Sequence, residues 1–329
     1  MSHPSKLSAD VFNLDTSVEI ERIASRLREM VRTLRKRGLV VAISGGVDSS
    51  VCAALAVKAV GAQKVFTLIL PEHDSSDASA RRAEMLAEQW GLQPLAVNIG
   101  PTLEAVGCYQ WRDEAMRRVI PGYGAGWRSK IAIRGGMKGQ FNHFHLVAQS
   151  PDGKTYDERM QLTEYLQIVA ATNFKQRTRK MVEYFHADRL NYAVIGTPNR
   201  LEYDQGFFVK GGDGAADIKP IAHLYKTQVY ALAQALNLPE EITGARPTTD
   251  TYSLAQGQDE FYFALPYEQM DLALWGHNHG VTAEDLAVAL NITPENARLV
   301  YADIEAKRRA TEYLHRAPML VDDVAEIQH

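Results

Sequence analysis

Hydrophobic residues in the first half of the chain fall into short apolar runs that alternate with longer stretches of helical spacing. The runs predict strands at 39–43, 64–70 and 92–99, and the stretches predict helices at 17–37, 49–60, 76–90 and 101–118. Short apolar strands separated by helices are typical of a parallel sheet covered on both faces. The pattern therefore predicts an α/β fold, in which ligands bind at the carboxyl ends of the strands.

The alternation returns in the second half, with a helix predicted at 158–187, a strand at 192–196 and a helix at 223–236. Beyond Pro266, apolar spacing predicts a C-terminal helical region with helices at 267–275, 282–291 and 294–310. We therefore expect a main domain over 1–275, followed by a helical cap and tail over 276–329.

The segment 121–156 interrupts this rhythm and reads as an insertion in the main domain. It is rich in glycine and ends in an Asp152-Gly153 pair between apolar residues, which predicts a loop and then a small hairpin. His143 and His145 would share one strand face. Because no third ligand stands at a suitable spacing, an ordinary strand is favoured over a metal site.

The composition is that of a soluble globular protein, with 46% hydrophobic and 23% charged residues among 329. A formal net charge of −4 gives no reason to expect nucleic acid as the main partner. Cys52 and Cys108 are the two cysteines, which favours a reducing compartment without disulfides. No run approaches the eighteen or so apolar residues of a membrane span, and the start lacks a signal sequence. We expect a cytoplasmic protein without a membrane partner.

The most informative stretch follows the first predicted strand and reads Ser-Gly-Gly-Val-Asp-Ser. Two adjacent glycines let the backbone approach a phosphate, and the helix start that follows offers unpaired N–H groups. Asp48 would repel a phosphate unless a cation lies between them, so the loop predicts a nucleotide phosphate with Mg²⁺. It matches neither the P-loop nor the dinucleotide pattern. The predicted contacts are Ala42, Ile43, Ser44, Gly45, Gly46, Val47, Asp48 and Ser49.

A second polar stretch, from Gly196 to Pro220, follows the strand at 192–196. It contains four acidic residues, among them Glu202, together with Lys210 and several glycines. Carboxylates beside a phosphate loop make sense if they bind the cation that neutralises a triphosphate. A solvated loop without a role would not need the adjacent aromatic residues Phe207 and Phe208.

Together these motifs resemble those of the ammonia-dependent NAD synthases, within the N-type ATP pyrophosphatase family. The second reads Gly-Thr-x-Asn-x-x-Glu and then Gly-Phe-Phe-x-Lys-x-Gly-Asp-Gly-x-Ala-Asp-Ile-x-Pro, and the similarity covers about 20–105 and 160–275. The resemblance implies a flavodoxin-like, adenine nucleotide alpha hydrolase-like parallel sheet flanked by helices. It also implies a homodimer whose substrate site crosses the subunit interface. The helices predicted at 17–37 and 158–187 are the candidates for that contact.

The resemblance also implies roles for individual residues. ATP would contact the loop 42–49 with Thr197, Lys226 and Thr248, and Asp48 and Glu202 match Mg²⁺ ligands. Candidate contacts to deamido-NAD are Arg177, Lys210, Asp213, Asp217 and His315. Asp48, Lys226 and Asp217 are the expected catalytic residues, and Asp217 would also hold the incoming ammonium.

The implied reaction joins three small molecules, deamido-NAD, ATP and ammonia, in two steps. The nicotinate carboxylate attacks the α-phosphorus of ATP, which gives an adenylate and pyrophosphate. Ammonia then attacks the activated carbonyl and expels AMP. The protein would act by positioning the anionic nucleotides and neutralising their charge.

Two departures from the family pattern keep alternatives open. In the first, Tyr313 and Leu314 stand where the family has a His-Lys pair, unless His315 and Arg316 serve in a shifted register. In the second, the segment 121–156 is longer than the family needs. A related ligase that amidates a different carboxylic acid is therefore the first alternative. A tRNA-modifying thiolase is a second alternative, but it would need catalytic cysteines or an RNA-binding appendage, and the sequence indicates neither. A nucleotide sensor would not need Mg²⁺ ligands together with Lys210 and Lys226.

Overall fold

The structure is a computed structural model that describes residues 7–134, 143–245, 252–254, 257, 262, 265–322, 324, 326 and 327. Its main sheet is parallel and confirms the predicted α/β fold. In spatial order the strands are β3 (Leu95–Ala96), β2 (Val65–Ile69), β1 (Leu39–Ala42) and β7 (Ala193–Val194). The ends of β1 and β7 lead directly into the two polar stretches, which brings both to the carboxyl edge of the sheet.

Helices cover both faces of this sheet because alternate strand residues are apolar on each side. Leu39 and Val41 pack on a cluster formed with α1, α2 and α8, and Val40 packs on the opposite side against α4, α5 and α6. The helices are α1 (Thr16–Thr33), α2 (Val47–Val60), α3 (Asp77–Gln89), α4 (Gly100–Ala105), α5 (Cys108–Val119), α6 (Leu162–Leu190), α7 (Arg200–Gln205), α8 (Lys226–Ala235) and α9 (Glu240–Thr243).

Several boundaries differ from the predicted ones. The helix predicted at 101–118 is divided into α4 and α5, because Gly107 has a left-handed backbone (φ 76°) that an α-helix cannot contain. The strand predicted at 92–99 is regular only at Leu95–Ala96, at the edge of the sheet, although the N–H groups of Val97 and Ile99 also donate to the carbonyls of Ile69 and Pro71. The helix after the phosphate loop begins at Val47, two residues earlier than predicted.

The segment 121–156 contributes to a second, antiparallel sheet of three strands. These are β4 (Arg128–Arg134), β5 (His143–Gln149) and β6 (Thr155–Arg159), in that order. The turn at Asp152-Gly153 joins β5 to β6 as predicted, and Gly153 has a φ of 88°. A loop was predicted before the hairpin, but the structure has strand β4 there. The prediction was wrong because charged residues at both ends of this strand interrupt the apolar pattern of its centre. On β5, the imidazole of His145 pairs with the Asp157 carboxylate at 2.7 Å.

The C-terminal helices are α10 (Tyr267–Asn278), α11 (Ala283–Leu290) and α12 (Pro294–His315). They share a core with Leu7 and Phe12 from the beginning of the chain. α10 runs across the domain boundary predicted at 275. α12 is longer than predicted and carries residues 313–315 to the carboxyl edge of the main sheet. Within the described residues, no helix is long and apolar enough to cross a bilayer.

Candidate active site

The predicted phosphate loop is held by hydrogen bonds within itself and by the start of α3. The hydroxyl of Ser49 accepts a hydrogen bond from the Ser44 N–H at 3.2 Å, and the Arg82 guanidinium donates to the Gly45 carbonyl at 2.9 Å. Gly45 has a φ of 78°, and a Cβ there would lie 2.3 Å from the Ser79 carbonyl oxygen. Only glycine fits this position, so the first glycine of the motif serves the packing of the loop.

Helix α2 begins at this loop with its first N–H groups free of a side-chain cap. Gly46 is the N-cap residue and has no side chain to offer, and the first turn carries Asp48. The unpaired N–H groups and the positive end of the helix dipole favour an anion at this point. The geometry therefore suits a phosphate group of a nucleotide.

Asp48, Asn199, Glu202 and Lys226 form one cluster beside the loop, in which Asn199 and Lys226 are buried and the two carboxylates are half-buried. Lys226 pairs with the Asp48 carboxylate, and the Asn199 amide donates to the other oxygen of Asp48 at 3.2 Å. The backbone N–H of Asn199 donates to Glu202 at 3.2 Å, and the Asn199 side chain accepts from the Glu202 N–H in a capping box. Asn199 thus links the two carboxylates predicted to bind Mg²⁺.

The charge of Lys226 is maintained although its side chain is only 3% exposed. Burial acts to lower the pKa of the ammonium, but the carboxylates of Asp48 and then Glu202 outweigh it and raise the pKa. A cation that stays charged in a buried site is suited to stabilise negative charge on a phosphate.

Cations and the end of α12 form another wall of the site. The Arg177 guanidinium donates to the Lys210 carbonyl at 3.2 Å, and the Lys210 ammonium donates to the Tyr313 carbonyl at 3.3 Å. The Lys210 ammonium also lies 5.3 Å from the centre of the Tyr313 ring. Tyr313 and Leu314, which stand where the resemblance implied a His-Lys pair, therefore lie at the site itself.

A cavity of about 510 Å³ joins these groups at the carboxyl edge of the main sheet. Most of the predicted contacts line it, from both polar stretches and from α6. They are Ala42, Ile43, Ser44, Gly45, Gly46, Val47, Asp48, Ser49, Arg177, Thr197, Glu202, Lys210, Asp213 and Lys226. Thr248 lies outside the described residues.

Asp217 and His315 do not line this cavity. The Asp217 carboxylate accepts hydrogen bonds from the Val194 N–H at 2.7 Å and from the Tyr184 hydroxyl at 3.4 Å, beside strand β7. His315 ends α12 with its ring edge-on to Tyr203 and Phe208. The ammonium-binding role of Asp217 stays a prediction, and within one chain its carboxylate is engaged elsewhere.

Sequence reasoning missed several polar residues of the site. Asn199 stood in the quoted motif without a role, and Lys180 and Glu183 on α6 form a buried ion pair at 2.7 Å that lines the cavity. Burial raises the pKa of the Glu183 carboxyl, and Lys180 opposes that rise. The sequence could have indicated Lys180 and Glu183 through the polar residues at helical spacing from Asn173 to Glu183, since these residues mark one face of α6.

The two carboxylates fit a magnesium ion by the chemistry of their oxygens. Among the described residues, no group of three or more acidic, histidine or cysteine side chains is close enough to hold a metal alone. Mg²⁺ commonly binds through one or two carboxylates together with substrate phosphates and water. Asp48 and Glu202, joined through Asn199 beside the phosphate loop, supply that number.

Comparison with known proteins shows that the chain is similar to NAD synthetases in both sequence and fold. The family model described as NAD synthase matches residues 19–121 and 142–318. An NH(3)-dependent NAD(+) synthetase of Rhizobium meliloti (strain 1021) is 58% identical over 98% of this chain and 96% of its own length. One of Rhizobium rhizogenes (strain K84) is 53% identical over 98% of both chains. The solved NH3-dependent NAD synthetase of Campylobacter jejuni shares the fold, with a TM-score of 0.61, 21% identity, and coverage of 94% of this chain and all of the other.

Proposed function

Because the chain belongs to the NAD synthase family, we propose that it forms NAD from deamido-NAD, ATP and ammonia. The observation that carries this proposal is a single cavity that holds both a phosphate loop with the Asp48–Lys226 pair and the cations Arg177 and Lys210. Such a cavity suits two anionic nucleotides at once. The first alternative, a ligase for another carboxylic acid, is not favoured by relatives that share 58% and 53% of their residues with this chain.

In the first step, a carboxylate oxygen of deamido-NAD attacks the α-phosphorus of ATP. A new P–O bond forms, the bond to the β-phosphate oxygen breaks, and pyrophosphate leaves. The N–H groups at the start of α2 and the Lys226 ammonium neutralise charge on the phosphates, while Arg177 and Lys210 hold the second nucleotide in line.

In the second step, ammonia attacks the activated carbonyl carbon. A C–N bond forms, the C–O bond to the phosphate breaks, and AMP leaves with that oxygen. The nitrogen also loses one proton, which passes to water. Neither step needs a nucleophile from the protein, and positioning of the substrates supplies the catalysis.

We assign the predicted Mg²⁺ to Asp48 and Glu202, where it would lower the negative charge of the triphosphate. The Lys226 ammonium pairs with Asp48. When ATP and Mg²⁺ bind, it would either share the Asp48 carboxylate with the metal ion or contact a phosphate oxygen. Asn199 keeps both carboxylates oriented.

We further propose that two copies of the chain associate along α6. Two pairs of large apolar side chains are exposed along this helix, Leu162 with Leu166 and Met181 with Phe185, and they form an apolar stripe that the exposed Arg177 interrupts. An exposed apolar stripe of this length favours a protein interface. The cytoplasmic location predicted from the sequence stays a prediction.

Release of AMP tests the proposed function directly. The purified protein is incubated with ATP, Mg²⁺ and ammonium, with and without deamido-NAD, and AMP, pyrophosphate and NAD are measured. The proposal expects equal amounts of all three products, and none of them without deamido-NAD. If a different carboxylic acid supports AMP release and deamido-NAD does not, the alternative ligase holds instead.

A further inference from the structure

The three-stranded sheet supports an aromatic wall of the cavity. Tyr165 on α6 lines the cavity, and the ring of Phe144 on β5 stacks on it at 3.7 Å between centroids. Tyr252 lines the same cavity and packs in one apolar cluster with residues of this sheet. The sheet therefore lies behind two separate tyrosines that line the cavity.

Strand β4 also holds the segment that carries Tyr252. The Ser129 N–H donates to the Ser253 hydroxyl at 2.9 Å, and the Leu254 N–H donates to the Ser129 carbonyl at 3.1 Å. The Tyr252 hydroxyl is hydrogen-bonded to Thr172 on α6. Tyr252 is thus fixed from the sheet on one side and from α6 on the other, with an exposed fraction of 7%.

The aromatic wall lies beyond the carboxyl edge of the main sheet, along α6. Arg179 on α6 donates to the carbonyl of Leu70, so this turn of α6 lies level with the carboxyl edge of the main sheet. Tyr165 is fourteen residues earlier, which places it about 21 Å further along the helix axis at 1.5 Å per residue. Arg177 lies between these two levels. Tyr165 therefore lies toward the end of the cavity away from the phosphate loop, and Tyr252, bonded to Thr172 about 10 Å from Arg179 along the helix, lies between the two.

We propose that Tyr165 and Tyr252, supported by β4 and β5, bind the adenine base of the dinucleotide acid and so select a dinucleotide over a shorter acid. This inference rests on the proposed function. The nicotinate carboxylate must lie at the ATP α-phosphorus, near the phosphate loop, so the opposite end of the dinucleotide extends along α6. Its base is a planar ring, and such rings stack well on tyrosine.

β4 lies within residues 122–141, which the NAD synthase model does not match. The wall is therefore formed in part by a strand that the family model does not describe. This gives the segment 121–156 a role in the selection of substrate, which neither its sequence nor the family assigns.

The test compares KM values of the full chain and its variants. Wild-type turnover of deamido-NAD comes first, because its absence would refute the proposed function and not only this inference. Loss of a stacking ring costs about 1–3 kcal/mol, so Tyr252→Leu is expected to raise the KM for deamido-NAD by about tenfold. The KM for ATP should stay within about twofold. Tyr252→Phe keeps the ring and should restore most of the affinity.

Tyr156→Leu is the matched control, since Tyr156 lies in the same apolar cluster but not in the cavity wall. It should leave both KM values unchanged. If Tyr252→Leu does not fold, Tyr165→Leu removes the other ring of the wall and carries the same expectation. An unchanged KM for deamido-NAD, or an equal rise in both KM values, would overturn the proposal.

Discussion

At the residue scale, Asn199 connects the two carboxylates on which the site depends. Its amide donates to Asp48 and its side-chain oxygen caps the N–H of Glu202, while the residue is 1% exposed. A small buried residue with both a donor and an acceptor can hold two groups at a fixed separation. The orientation of the predicted metal ligands therefore depends on one amide side chain.

We expect Asn199→Ala to lower kcat/KM for ATP by about tenfold, because a hydrogen bond to a charged group contributes about 1.5–3 kcal/mol. The control is Thr282→Ala, which removes a helix cap on α11, away from the cavity. Loss of either cap should cost about 1 kcal/mol of stability. Steady-state kinetics and thermal unfolding separate the two effects. Equal activity of the two variants would contradict the role of Asn199.

Asp271 makes the stability of the chain depend on pH. Its carboxylate accepts hydrogen bonds from the Thr227 N–H and hydroxyl, and burial raises its pKa to about 6 despite these bonds. Its other oxygen has no hydrogen-bond partner within the described part of the chain. A carboxyl pKa that is higher in the folded state stabilises the fold while the group is protonated, and this contribution is lost as the pH rises toward 6.

We therefore predict that the free energy of unfolding of the wild-type chain, relative to Asp271→Asn, falls by about 2 kcal/mol between about pH 4 and pH 7. The comparison with the variant removes the titration of all other groups. Urea unfolding at several pH values measures the difference. A difference that stays constant over this range would show that Asp271 is not protonated in the folded state.

At the element scale, the sequence located the parallel sheet and most helices but not all of their ends. β1 and β2 are apolar runs beside glycines and polar turns, so local pattern alone defines them. β3 is a strand only through its pairing with β2, and β4 only through its pairing with β5. Such strands depend on distant partners, which a local pattern does not contain.

The same contrast holds for the site. The phosphate loop and Glu202 stand in contiguous motifs, so the sequence could indicate them. The tyrosine wall joins Tyr165 and Tyr252 from distant parts of the chain. The Asp217 carboxylate lies outside the cavity wall, where it accepts hydrogen bonds from the Val194 N–H and the Tyr184 hydroxyl, and no motif encodes these contacts.

Helix α6 gives a prediction about assembly. Phe185 is 62% exposed on the apolar stripe, and Val288, on the C-terminal helix α11, is similarly exposed at 67%. Phe185→Asp would place a charge in the proposed interface and should shift sedimentation from dimer toward monomer at micromolar concentration. Val288→Asp should leave the distribution unchanged. A wild-type chain that sediments as a monomer would contradict the proposed dimer.

At the scale of the whole molecule, the cavity joins three parts of the fold. The main sheet supplies the phosphate loop, α6 supplies Arg177 and the ion pair of Lys180 with Glu183, and the end of α12 supplies Tyr313. The three-stranded sheet of β4, β5 and β6 packs behind Tyr165 and Tyr252, which form the aromatic wall of the cavity. The proposed reaction would bring two nucleotides into this one cavity, with their reacting groups near the carboxyl edge of the main sheet.

The transfer of oxygen from the acid to AMP tests this account most directly. Deamido-NAD labelled with ¹⁸O in its carboxylate is incubated with the chain, ATP, Mg²⁺ and ammonium, and the AMP is analysed by mass spectrometry. Attack of the carboxylate on the α-phosphorus predicts one ¹⁸O atom in each AMP molecule. AMP without label, formed together with NAD, would contradict it.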